Sequence, residues 1–156
     1  MLCRIYFRND RGVTGYMIIQ VNMKQIGSRR KKIRSVPFVL EGTPHTVREL
    51  IEMAVSTCVR EYNRRVREGE NKTLPLSPED IEQMTEIGRV AFGINYGGRE
   101  ADASQAVGTA MQAYEDGLIR IFIGDDDAGD IDSAVSISEN DTVTFIRLVM
   151  LAGSIW

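Results

Sequence analysis

Residues 119–153 read IRIFIGDDDAGDIDSAVSISENDTVTFIRLVMLAG. Two β-rich runs, 118–124 and 139–151, bracket an acidic connection, and the second opens at an Asn140–Asp141 turn of the kind these two side chains favour. Alternation assigns each run two faces. Ile119, Ile121 and Ile123 oppose Leu118 and Phe122, while Val143, Phe145 and Val149 oppose Ile146, Leu148 and Met150. Both runs therefore read as apolar on two faces, and the second face needs a cover.

Upstream, residues 16–23 (YMIIQVNM) give another strand, with Met17, Ile19, Val21 and Met23 on one side and Tyr16 and Ile18 on the other. Turn formers at Gly27 and Ser28 and a second β-rich run at 33–40 make a hairpin. Pro37 has no N–H for a ladder, so its strand is expected at an edge or a bulge. The clearest element follows. Thr46 and Glu49 fit a capping box, and Val47, Leu50, Ile51, Ala54, Val55, Cys58, Val59, Tyr62 and Val66 form one helical stripe. Ser77 and Pro78 start a second, short helix expected to stop at Gly88, with residues 89–98 (RVAFGINYGG) read as strand. A third helix spans about 102–116, its stripe made by Ala103, Ala106, Val107, Ala110, Met111 and Tyr114, and closes with Gly117–Leu118. Residues 1–15 contain a strand-like piece (Cys3, Ile5 and Phe7 on one face) that reads as an extension ahead of Met17, an alternative start.

The order hairpin, long helix, inserted segment, strand, short piece, strand resembles the β-grasp (ubiquitin-like) superfamily. Residues 119–123, 130–137 (DIDSAVSI), 139–146 (ENDTVTFI) and Ala152–Gly153 resemble the closing strands and tail of small sulfur carriers such as the molybdopterin synthase small subunit and the thiamine sulfur carrier. The resemblance implies a single α+β domain over residues 1–156: a mixed sheet packed on one main helix, with a helical insertion at about 68–117. Such carriers end in a free Gly-Gly, whereas this chain has Gly153 followed by Ser154, Ile155 and Trp156. The expectation is therefore a non-enzymatic ubiquitin-like interaction module. It would act through an apolar sheet face and the tail, with Ile146, Leu148, Met150, Gly153, Ile155 and Trp156 as the protein-binding residues. The alternative is a sulfur- or protein-conjugation carrier activated at a processed C-terminus. Trp156 either covers the edge of its own core or inserts into a partner, since a Trp buries on the order of 200 Å².

The chemistry-bearing residues point to no catalytic constellation. With 156 residues, 43% apolar and 26% charged, the composition is that of one globular domain. No apolar run approaches the roughly 20 residues of a membrane span, and the charged N-terminus does not read as a signal peptide, so the cytoplasm is expected. Cys3 and Cys58 stand apart in apolar patterns and read as reduced thiols; His45, the single histidine, precedes a helix and reads as a surface residue. No cofactor and no metal is expected. The acidic loop 124–132 (GDDDAGDID) lacks the EF-hand spacing and reads as solvated. The INYGGREADAS run (94–104) has no phosphate-loop pattern and reads as a tight turn.

Charge is lopsided. Residues 1–72 carry 15 Lys and Arg against 7 Asp and Glu, and residues 73–156 carry 4 against 15. A basic turn at 24–34 (KQIGSRRKKIR) could touch phosphates, but the nearby Phe38 belongs to the core pattern, which leaves no exposed stacking aromatic. Nucleic acid and membrane are not expected partners; another protein or a second copy of the chain is.

Overall fold

The computed structural model describes residues 6–9, 12–26, 35–68, 76–94 and 100–148. Its elements in chain order are β1 (Tyr6–Asn9), β2 (Gly12–Ile26), β3 (Ser35–Glu41), α1 (Val47–Glu68), α2 (Pro78–Phe92), α3 (Ala103–Glu115), β4 (Ile119–Ile123), β5 (Asp126–Asp127) and β6 (Thr142–Leu148). The described residues form an α+β fold with a mixed sheet and three helices. The basic turn at 27–34, the run at 95–99 and the tail at 149–156 lie outside the described residues.

The sheet is organised on β2. Its first four residues pair antiparallel with β1, Tyr16 to Asn22 pair antiparallel with β3, and Gln20 to Ile26 pair parallel with β6. β4 adds antiparallel to β6, and β5 to β4, giving the order β1-β2-β6-β4-β5 with β3 beside β2. The expected hairpin is thus present, and Pro37 sits opposite Gln20 in β3, which pairs with β2 alone among the described strands. Phe7 of the N-terminal strand-like piece lies in β1, which folds back on the start of β2, while Cys3 and Ile5 lie outside the described residues.

Alternation delivers one buried row per strand. Ile19 and Val21 in β2 register with Phe38 and Val36 in β3, Val21 with Val143 in β6, and Phe145 with Ile121 in β4. All seven are at most 2% exposed. The buried stripe of α1 is as expected from Val47 to Val59, and joins this row in one core.

The α1 start departs from a simple capping box. Thr46 Oγ1 does accept from the Glu49 N–H (3.2 Å), but the Glu49 carboxylate reaches one residue further back, to the His45 N–H (2.7 Å). The N–H groups of Val47 and Arg48 are taken by the carbonyls of Ser133 and Ile131, which lie in the β5–β6 connection. The first-turn donors that a helix leaves open are therefore all satisfied.

The second helix is longer than its sequence suggests. Ser77 caps it, with Oγ accepting from Asp80 N–H, and Pro78 opens it, as expected. It does not stop at Gly88, and residues 89–92 are helical rather than strand. Gly88 is a close-packing residue: a Cβ there would lie 2.8 Å from Cys58 Sγ. The stop is Gly93, at φ +70°, whose N–H returns to Arg89 O. Continuing the helix buries Ala91 and Phe92 and sets the Phe92 ring edge-on to Phe145, centroids 5.0 Å apart. α3 matches its expected span, capped by Asp102 and closed by the double bond of Leu118 N–H to Ala113 O and Gly117 N–H to Tyr114 O. Its buried face is narrower than expected: Ala110, Ala113 and Tyr114 are buried, whereas Ala103 is exposed.

Gly88→Ala tests the close packing. Ala is favoured over Gly in a helix by about 1 kcal/mol, whereas overpacking costs about 1–3 kcal/mol. We expect a net loss of stability in urea unfolding, and a smaller loss from the same substitution in a Cys58→Ala background, where Sγ is gone while the residue 58 Cβ (3.0 Å) and Ile94 Cδ1 (3.1 Å) still press on the added methyl. Equal effects in both backgrounds would show that Gly88 and Cys58 are not coupled.

Candidate functional site

The expected protein-binding residues Ile146 and Leu148 lie in β6; Met150, Gly153, Ile155 and Trp156 lie outside the described residues. The row of β6 opposite the core runs Thr142, Thr144, Ile146. Registration places Arg120 and Lys24 either side of Ile146, and Phe122 and Asn22 either side of Thr144. Towards β3 the same row continues through Gln20 and Ile18, the latter opposite Val39. Ile18, Phe122 and Ile146 are half-buried, whereas their odd-numbered neighbours in β4 and β6, Ile121, Val143 and Phe145, are shut away.

The second face is therefore less apolar than the strands suggest one at a time. Gln20, Asn22, Thr142 and Thr144 separate an Ile18–Val39 pair from Phe122 and Ile146, which stand diagonally across the β4–β6 ladder. Ser35 Oγ donates to Gln20 Oε1 (3.3 Å), while Asn22 Oδ1 is enclosed without a hydrogen-bond donor among the described residues. Val39 is fully buried although it belongs to this row, and Glu41 of the same row pairs with Arg60 of α1 (2.8 Å). What remains half-open is the Phe122–Ile146 end, flanked by Arg120 and Lys24, both exposed.

The acidic connection between β5 and β6 is structural. Asp127 pairs with Arg120 and accepts from Gly129 N–H; Asp132 pairs with Arg48 (2.9 Å). The Arg48 guanidinium lowers the Asp132 carboxyl below the usual aspartate range. No group of three or more His, Cys, Asp or Glu able to hold a metal occurs among the described residues. Along one flank of α1, Glu41, Glu49, Glu52, Met53, Thr57 and Arg60 line a shallow cavity of about 360 Å³. Its carboxylates are partly committed, Glu41 to Arg60 and Glu49 to the helix start. His45 is exposed, as expected, and Cys58 is fully buried, its Sγ 3.5 Å from Met84 O; burial pushes the thiol up, so it is no nucleophile.

One residue escaped the sequence reading. Arg147 occupies the core-side row of β6, two places after Phe145 and opposite Ile119. Its Nη1 donates to Ala91 O (2.9 Å) near the C-terminal end of α2. With Phe92, Gly93, Leu118 and one flank of α3 it lines a cleft of about 600 Å³. The signal was available: a cation at a position where alternation demands an apolar side chain.

Comparison with family models, with curated proteins and with solved structures finds no match. No helix among the described residues is long and apolar enough to cross a membrane.

Two buried acids and one half-buried acid weaken the fold at alkaline pH. Burial, then the Glu41 charge, raises the Tyr16 phenol; burial, then the Asp127 charge, raises that of Tyr114, whose hydroxyl donates to Gly129 O; burial raises Cys58. For each, the folded state holds its proton more tightly than the unfolded chain. Their contribution is complete below the unfolded values, about 8.5 for a thiol and about 10 for a phenol, and is lost as pH rises above them. Urea midpoints should fall from pH 8 upward. Tyr114→Phe should flatten the part above about pH 10 while costing on the order of 1 kcal/mol at neutral pH. An unchanged alkaline slope would remove Tyr114 from this account.

Proposed function

We propose that the chain is a β-grasp, ubiquitin-like module, not an enzyme, that acts by binding another protein through the Phe122–Ile146 end of its second sheet face. The observation that carries the reading is the parallel pairing of β6 with β2, Val21 beside Val143 and Met23 beside Phe145. The β2–β3 hairpin, the long helix α1 that follows it and the closing strand laid back beside the opening one are the arrangement such a module requires. α2 and α3 stand between α1 and β4, where an insertion was expected. Phe92 of α2 packs on Phe145, on the core side, so the insertion adds to the core and leaves Phe122 and Ile146 half-open. An aromatic and a branched aliphatic flanked by Arg120 and Lys24 have the make-up of a protein contact with an apolar centre and a charged rim.

A photo-crosslinking residue at position 122 or 146 is expected to trap a discrete protein, either a partner or a second copy, while one at exposed Ser104 on α3 traps none. Phe122→Asp or Ile146→Asp should weaken that complex about tenfold or more, the loss of a central contact, with the far-ultraviolet spectrum retained. Equal trapping from positions 122, 146 and 104, or full trapping by both Asp variants, would overturn the reading. Intact mass after incubation with a carrier-activating enzyme and ATP is expected to stay unmodified; a thiocarboxylate or a trimmed terminus would favour the carrier alternative.

A further inference from the structure

The cleft beside Arg147 is independent of the sheet face discussed above. Its floor is apolar, made by Phe92, Ala113 and Leu118, and its rim is polar, with Gln105 and Thr109 exposed on α3. A volume of about 600 Å³ lies within the range of small-molecule sites. The α3 wall is low because position 108 is glycine, and a Cβ built there meets nothing within 4 Å.

Arg147 is the cation of this lining. One donor is fixed on Ala91 O, which holds the guanidinium against the end of α2. Gly93 lies beside it: a Cβ at this left-handed position would stand in ordinary van der Waals contact with the guanidinium, 3.4 Å from Nη1 and 3.6 Å from Nη2. The remaining guanidinium donors have no partner among the described residues, and a planar, pre-positioned fork of this kind matches a carboxylate. The other charged lining group, Asp116, is already engaged, its Oδ1 accepting from Gln112 Nε2 (2.9 Å). Its negative charge, together with the negative end of the α2 dipole, disfavours a dianion such as phosphate and leaves a singly charged group as the better fit.

We propose that this cleft binds an organic carboxylate with an apolar body, the carboxylate on the free edge of Arg147 and the body against Phe92, Ala113 and Leu118. The test is a titration of the isotope-labelled full chain with 3-phenylpropionate, its neutral amide and inorganic phosphate, each to about 10 mM, followed by NMR; that range detects weak fragment affinities. Saturable shifts are expected at the amides of Phe92, Gly93, Thr109, Gln112 and Leu118. The amide should bind about tenfold more weakly, since the charge-assisted bonds are lost, and phosphate more weakly still. Arg147→Met should reduce carboxylate binding to the level of the amide. Because that variant also frees Ala91 O, Gly108→Leu provides the second arm. It fills the cleft, favours the helix, and should fold with at least the original melting temperature while losing binding about tenfold or more. The proposal is overturned by absence of saturable shifts, by shifts centred elsewhere, by an amide or phosphate that binds as tightly, or by a folded Gly108→Leu protein that binds unchanged.

Discussion

The parallel ladder between β2 and β6 is the constraint on which the rest of the structure depends. β2 is long enough to serve three neighbours in succession, and only its final stretch, Gln20 to Ile26, is given to β6. A parallel neighbour must be reached by a crossover, here everything between Ile26 and Thr142, so the three described helices are confined to that connection. The ladder also aligns the buried rows: with Val21 beside Val143 and Met23 beside Phe145, a slip of one residue would turn Phe145 and Val143 out of the core.

Two clamps then position the helices on that sheet. At the start of α1, the carbonyls of Ser133 and Ile131 take helix N–H groups, Val135 N–H returns to His45 O, and Arg48 pairs with Asp132. Towards its end, Asn63 grips the backbone of Ala101 in both directions, Nδ2 to O at 2.8 Å and N to Oδ1 at 2.7 Å, which ties the approach to α3 onto α1. Between them Glu61, 4% exposed, is neutralised by Arg64 one turn on, so a charge on the buried side of α1 is not left uncompensated. The acidic loop that a composition-based reading assigns to solvent thus holds the main helix at its start.

Much of this was legible in the residues. Strong alternation marked β2, β3, β4 and β6, the caps at Thr46 and Ser77 marked two helix starts, and the apolar stripe marked the span of the third helix, because these signals are local. What failed required tertiary knowledge. Gly88 carries the same local information as a helix stop, and only its approach to Cys58 distinguishes the two roles. Residues 89–92 are β-prone in isolation, yet Ala91 and Phe92 extend the stripe of Ile81, Met84 and Ile87 once the helix continues. The breadth of the second apolar face was overstated for a related reason. Each strand was read alone, whereas registration brings Gln20, Asn22, Thr142 and Thr144 together in its middle. Arg147 is masked in the same way, because the apolar residues on either side of it dominate the pattern of β6.

The clamp at the start of α1 also bears on how the chain can be assembled. Val47 is capped by Ser133, and Val21 lies beside Val143, so both contacts join residues more than eighty positions apart. A chain emerging in order can make the β2–β3 hairpin and the body of α1 early, but the start of α1 waits for residues 131–133 and the free edge of β2 for β6. High contact order of this kind slows folding. Until then the unpaired side of β2, carrying Val21 and Met23, is an open edge to which any extended segment could add.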